Sequence, residues 1–174
     1  MTDEHGEDYY ANWVAESKKQ IEQQVESLGY PVSYVKHMYV EHWYFRYGHL
    51  YDLIRTNVMN NTEKIKVLVK VNLSKDSFIP YVFKACFLLI TDKRIVLSTK
   101  LPLGEIKKIE FNLNEVKGFK KITTRYEQFF DFVLTFREGD IIFKLSSYGF
   151  TNEAYIKFAD KVELDIRKAI SLKS

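Results

Sequence analysis

Cysteine is almost missing from this 174-residue chain: the single Cys86 has no second thiol with which to close an internal disulfide. Its place inside an apolar run predicts a small buried hydrophobe and a protein of a reducing cytoplasm. Long apolar runs are missing too. The longest, residues 79–90, contains Lys84 and falls short of the roughly 18 residues that a membrane-spanning helix needs. Residues 1–16 carry neither a basic start nor an apolar block, so no signal peptide is expected. The sequence holds no glycine-rich phosphate loop, no Gly-x-Ser-x-Gly elbow and no Cys-x-x-Cys pair, which removes the usual signals of phosphate, acyl-transfer and redox chemistry. Metal-ligating residue types meet only in His37, Glu41, His42 and His49. His37 and Glu41 stand four apart, as two ligands on one helix face would, but the spacing is not His-Glu-x-x-His and the neighbours are aromatic. The expectation is therefore the edge of a packed surface, no metal and no cofactor, with a metal-dependent enzyme as a distant alternative.

What is present is a core. Hydrophobic residues make up 46% of the chain and charged residues 28%, the balance of an ordered globular protein of about one domain. The net charge of +3 hides an asymmetry. Residues 1–30 hold seven acids against two bases, whereas residues 64–125 hold fourteen bases against five acids. The basic half can meet an anionic surface, an acidic partner or the chain's own acidic start, or its lysines can simply be solvated strand faces.

The pattern along the chain changes period once. Val14, Ile21, Val25 and Leu28 fall near one helical face, and Gly29 and Pro31 end that helix. Residues 32–61 are the most aromatic stretch. Their periodicity favours one helix, or two broken near Gly48, over the rival strand at 40–47 that β-propensity suggests. After residue 62 the period becomes two. Ile65, Val67, Val69, Val71 and Leu73 alternate with Lys64, Lys66, Lys70 and Asn72, which predicts a half-buried strand with a basic outer face. Phe83–Ile90 and Ile95–Leu97 flank Thr91-Asp92-Lys93-Arg94 as the arms of a hairpin, and the first arm is apolar on both faces, so it belongs inside a sheet or under another element. Further strands are expected at 106–111, 116–125, 130–136 and, after the turn Glu138-Gly139-Asp140, from Ile141. From a Thr151 or Asn152 cap, Tyr155, Phe158, Ala159, Val162, Ile166, Ala169 and Ile170 form an amphipathic helix, whose natural place is the open mouth of a small curved sheet.

Seven antiparallel strands followed by one helix resemble a pleckstrin-homology (PH)-like domain. The run Glu63-Lys64-Ile65, then CFLLITDKRIVLS at 86–98 and LPLGEIKKIEF at 101–111, is similar to the bacterial, YokE-like branch of that superfamily. The resemblance covers about residues 63–172 and rests on structural motifs. It implies an α+β fold, a seven-stranded antiparallel barrel or sandwich capped by a C-terminal helix, with residues 1–62 as a helical extension and 63–174 as the PH-like domain. It also implies a non-enzymatic binding module in a bacterial or phage-encoded setting. Lipid-binding relatives carry a basic pattern across the first two strands. Here Lys70, Lys75 and Lys84 lie in that region, but Cys86 stands where the last basic residue belongs, which argues against specific phosphoinositide binding. Protein–protein recognition is the leading expectation. Trp43, Tyr44, Arg46 and Tyr47 are the candidate partner-binding residues, because Trp, Tyr and Arg dominate interface hot spots; a second copy of the chain is one such partner. The alternative is peripheral attachment to an anionic membrane through Lys75, Lys84, Lys117, Lys120 and Lys121. Nucleic-acid binding ranks below both, since no aromatic stacking platform accompanies the lysines.

Overall fold

The period-two pattern after residue 62 folds into a single antiparallel sheet. The structure, a computed structural model, describes residues 62–124, 129–146 and 150–171, together with 22–31, 47–56 and the separate positions 12, 15, 16, 19, 20 and 34. Helix α1 (Tyr47–Ile54) precedes strands β1 (Ile65–Leu73), β2 (Ala85–Thr91), β3 (Arg94–Lys100), β4 (Ile106–Asn112), β5 (Gly118–Thr123), β6 (Phe130–Thr135) and β7 (Asp140–Leu145). Helix α2 (Asn152–Ser171) follows. Hydrogen-bonded order across the sheet is β4-β3-β2-β1-β7-β6-β5, every neighbouring pair antiparallel. Both predicted hairpins and the closing helix are present. Two boundaries shift. Tyr81–Phe83 forms a 3-10 turn ahead of β2, and Leu113–Glu115 forms another ahead of β5, with Asn112 and Glu115 completing a capping box.

Strand β1 belongs to both halves of the sheet. It pairs with β2 over most of its length but with β7 only at Val71–Leu73, so the sheet folds over on itself into two facing layers. The two ends of the order, β4 and β5, exchange no ladder bonds, and the result is a sandwich rather than the closed barrel that was the other expectation. Register puts Val67, Val69 and Val71 of β1, Leu88 and Ile90 of β2, Ile95 and Leu97 of β3, and Phe132, Leu134, Ile141, Phe143 and Leu145 of β6 and β7 on the inner faces, all buried. Helix α2 closes the mouth. Thr151 caps it, its Oγ1 accepting the Ala154 N–H at 3.3 Å. Tyr155 stacks on Phe130, while Phe158 meets Tyr30, Tyr34 and Phe150 at ring distances of 4.2–5.2 Å.

The outer face of the β1–β4 layer departs from expectation. A basic, solvated face was predicted for β1, yet Leu68 on that face is fully buried, as are Phe87 and Leu89 of β2 and Val96 and Ser98 of β3. Helix α1 meets this face at Phe87 and Ser98. His49 Nε2 lies 2.7 Å from Ser98 Oγ and its ring meets the Phe87 ring edge-on at 5.3 Å. Asp52 and Thr56 reach Lys108 of β4 at 3.5 and 3.1 Å, and Leu50, Leu53 and Ile54 join the same core. The apolarity of β2 on both faces thus has a direct cause. One face lines the sandwich and the other lies under α1.

Candidate binding end

At one end of the sandwich, the connection from β1 to β2 is eleven residues long and built in two parts. Its first half is tied to the start of β7: Ser74 N–H donates to Ile142 O at 2.8 Å and Phe78 N–H to Asp140 O at 3.1 Å, while Ser77 Oγ bonds both the N–H and the C=O of Ile142. Phe78 packs with Phe111 and Phe136, and these three rings fill the corner between β4 and the β6–β7 turn. Gly139 in that turn has φ +151°, and a Cβ there would lie 3.2 Å from the Phe78 Cβ. The second half is the 3-10 turn. Pro80 starts it, Ile79 and Phe83 point inward, and Tyr81 and Val82 are left 61% and 42% exposed. Lys84 closes the loop, its carbonyl accepting the Leu73 N–H at 2.7 Å and its ammonium lying 5.7 Å from the Tyr81 ring.

This 3-10 turn packs against β3, whose end leads into the tight turn at 101–105. Leu101 N–H donates to Glu105 O and Gly104 N–H to Leu101 O, each at 2.8 Å, with Gly104 at φ +91°. Leu103 at the tip is 100% exposed. It stands at the end of β3, the strand against which the turn carrying Tyr81 and Val82 packs, and the charged residues exposed on these two connections are Lys75, Asp76, Lys84 and Glu105.

The five lysines named for an anionic surface are split by the structure. Lys75 and Lys84 are exposed on the β1–β2 loop, and Lys117 and Lys120 are exposed at β5. Lys121 points at helix α2 instead: its Nζ is 2.7 Å from both Asp160 and Glu163 and 4.6 Å from the Phe130 ring centre. Burial pulls the Lys121 pKa down, but those hydrogen bonds outweigh it and hold it above the usual lysine value. Of the aromatic set, Trp43, Tyr44 and Arg46 lie outside the described residues, and Tyr47 opens α1. His37, Glu41 and His42 also lie outside them, while His49 is buried on the sheet. Among the described residues no three His, Cys, Asp or Glu side chains gather as metal ligands. Cys86 is buried and its thiol is pushed up to about 12 by that burial, the setting of a packing residue.

The motif residues at the opposite end meet as a structural latch. Thr91 Oγ1 donates to Glu63 Oε2 at 2.7 Å and accepts from the backbone N–H of Lys93 and Arg94. Asp92 Oδ1 accepts the Lys64 N–H at 2.9 Å, and Arg94 grips Glu63 with Nε and Nη2 at 2.8 and 2.5 Å while its Nη1 reaches Glu110. Glu63-Lys64 and Thr91-Asp92-Lys93-Arg94 fix the start of β1 against the β2–β3 turn, which is a folding task.

Strand order, the shared β1 and the capping helix settle the architecture. The fold is PH-like. No family model matches the chain, and no curated protein is similar to it. Among solved structures, it is similar to the Vps36 N-terminal PH domain, with TM-score 0.42 and 13% identity over 64% of this chain and 84% of that one. It is also similar to the DH/PH domains of PDZ-RhoGEF, solved in complex with GTP-gamma-S-activated RhoA, with TM-score 0.39 and 17% identity over 67% of this chain and 33% of that one. A third is the C-terminal domain of an unknown protein from Leishmania infantum, with TM-score 0.37 and 14% identity over 64% of this chain and 95% of that one. No described helix is long and apolar enough to cross a membrane.

The sequence did not single out Tyr81, Val82 and Leu103. Two signals were there. Phe78-Ile79-Pro80-Tyr81-Val82-Phe83 is an apolar run interrupted by proline, so it cannot all sit in a ladder, and Pro102 and Gly104 flank Leu103 as turn residues that leave it at a tip.

Proposed function

We propose that this protein is a non-enzymatic binding module of the PH-like type that attaches peripherally to anionic membrane surfaces through the β1–β2 loop and the β3–β4 turn. The observation that carries the reading is the full exposure of Leu103 together with the exposed Tyr81 and Val82, beside Lys75 and Lys84. Apolar tips with lysines on the same loop suit the boundary of a bilayer, and the exposed Asp76 and Glu105 beside them limit the electrostatic share of the attraction. The tips enter the acyl region, where burying a Leu or Val side chain yields about 1.5–3 kcal/mol, and each lysine near an anionic surface adds about 1 kcal/mol. The bacterial branch suggested by the motifs and the cytoplasmic setting suggested by the lone buried Cys86 belong to the same proposal.

Co-sedimentation with neutral and anionic vesicles at low and moderate salt tests it. Binding to anionic vesicles alone, weakened by salt, is expected, with Leu103→Asp losing tenfold or more and Lys75→Glu with Lys84→Glu losing most of the remainder. Loss in a Lys117→Glu, Lys120→Glu pair with the loop variants unaffected would move the contact to β5. No binding to either vesicle overturns the membrane reading and leaves protein–protein recognition, with Trp43, Tyr44, Arg46 and Tyr47 as its candidates.

A further inference from the structure

An ionisable ring lies at the centre of the contact between α1 and the sheet. His49 is 1% exposed. Among the described residues, its ring meets Phe87 of β2 edge-on and its Nε2 lies 2.7 Å from the Ser98 hydroxyl of β3, with Leu50, Leu53 and Ile54 of its own helix buried in the same cluster. Among the described residues, the charged groups facing it are Lys100 on β3, Lys108 on β4 and Asp52 on α1. Asp52 is already shared between Lys108 at 3.5 Å and Arg55 at 3.6 Å. A charge on the imidazole would therefore be desolvated, with two lysines against it and one shared carboxylate in its favour.

We infer that α1 is an acid-released cover: a proton gained by His49 lifts the helix from the outer face of β2–β4 while the sandwich beneath stays folded. The structure gives the separation this needs. Leu50, Leu53 and Ile54 belong to the same buried cluster as Phe132, Phe143, Phe158 and Val162, but the register of β1–β3 turns Val69, Leu88 and Leu97 to the inner face and Phe87 and Ser98 to the outer one, where His49 meets them. The sign is fixed by the direction of the shift. Burial, then Lys100, lowers the docked imidazole from 6.5 to about 4. The docked state thus binds the proton more weakly than the released one, and docking weakens as pH falls below about 6.5, by up to tenfold per pH unit until about pH 4. Ordinary carboxylates titrate at about 4, so the interval from pH 6.5 to 5 belongs to the histidines, of which His49 is the one that meets the sheet among the described residues.

Amide hydrogen exchange of the full chain at several pH values, corrected for the intrinsic pH dependence of exchange, is the test. The peptide covering residues 47–56 is expected to lose protection by roughly tenfold between pH 6 and 5, while peptides in β6, β7 and α2 hold theirs. In His49→Gln, which keeps a neutral polar group beside Ser98, that loss should vanish although His5, His37 and His42 remain. The same loss in the variant, no loss in the native chain, or simultaneous loss throughout the sandwich each overturns the proposal. Should the variant not fold, the His49 ring proton resonance of the native chain decides: titration below pH 5 supports the cover, and titration near 6.5 refutes it.

Discussion

The hydroxyl of Tyr34 stands where a strand would. β7 pairs with β1 only at Val71–Leu73, and Ser146 N–H reaches back to Lys70 O at 3.0 Å; beyond that point β7 has turned away. Tyr34, 2% exposed, supplies the next partner, its Oη accepting the Lys70 N–H at 3.0 Å, and Tyr30 lies beside it near the Leu68 backbone. Burial first, and in Tyr30 the neighbouring Tyr34, hold both phenols far above their ordinary value, so they stay protonated at any working pH. Tyr34→Phe keeps the ring against Phe158 and Phe150 and removes only the acceptor. Taking the acceptor from a buried amide costs about 1–3 kcal/mol, and a chain of this size loses about 2–4 °C in Tm per kcal/mol, so the expected fall is about 2–12 °C. Urea unfolding should show the same loss at unchanged slope, and the Lys70 amide should exchange faster while amides directed at β2 hold. A loss below about 0.5 kcal/mol with unchanged Lys70 exchange would refute the hydroxyl as the strand's edge partner.

Two other substitutions probe charge. Arg94→Ala leaves the Glu63 carboxylate, 4% exposed, without its guanidinium and should cost about 3–5 kcal/mol in urea unfolding; adding Glu63→Gln should recover part of it, and no recovery would mean that the loss was packing. Lys121→Met keeps the stem over Phe130 but frees Asp160 and Glu163, for about 1–2 kcal/mol at pH 7. Because the Lys121 hydrogen bond holds Glu163 below its usual range, that difference should persist at neutral pH and shrink as pH falls below about 4.5, measured as unfolding midpoints at pH 7 and 3.

The strands were legible because one face of each meets the core: alternation marks β1 and β6, and glycine marks the β6–β7 turn. α2 was legible for the same reason at a period of 3.6. What escaped was anything depending on which layer covers which. Leu68 reads as an exception among Lys66 and Lys70, and no pattern within β1 marks it as buried, with Tyr30 at its backbone. Lys120 and Lys121 are adjacent and identical in sequence, yet the pleat sends one to solvent and the other to α2, so a charge count along β5 overstates what that strand offers an anionic surface. Leu103 carried only the local signal of Pro102 and Gly104 beside it, because exposure of a side chain leaves no periodic trace.

The covered outer face bears directly on where a partner can bind. Leu68, Phe87, Leu89 and Val96 lie on the outer face and are nonetheless buried, Phe87 against His49 of α1. Val25, Tyr30 and Tyr34 likewise join the core at the mouth, beside Phe158. Residue 62 therefore marks the start of the strand pattern, while the packed core extends upstream of it. With the inner faces packed and Phe87 and Ser98 of the outer face against α1, the described surface left with large exposed apolar side chains is the loop end at Phe78, Tyr81, Val82 and Leu103, together with Ile122, Phe129 and Leu164 around β5 and α2. The second group is flanked by the Lys121 clamp to Asp160 and Glu163 and the Arg167 guanidinium over Phe119, where acid and base already balance. At the loop end the exposed Lys75 and Lys84 are matched by the exposed Asp76 and Glu105, so what distinguishes this end is its bare apolar tips rather than a net charge.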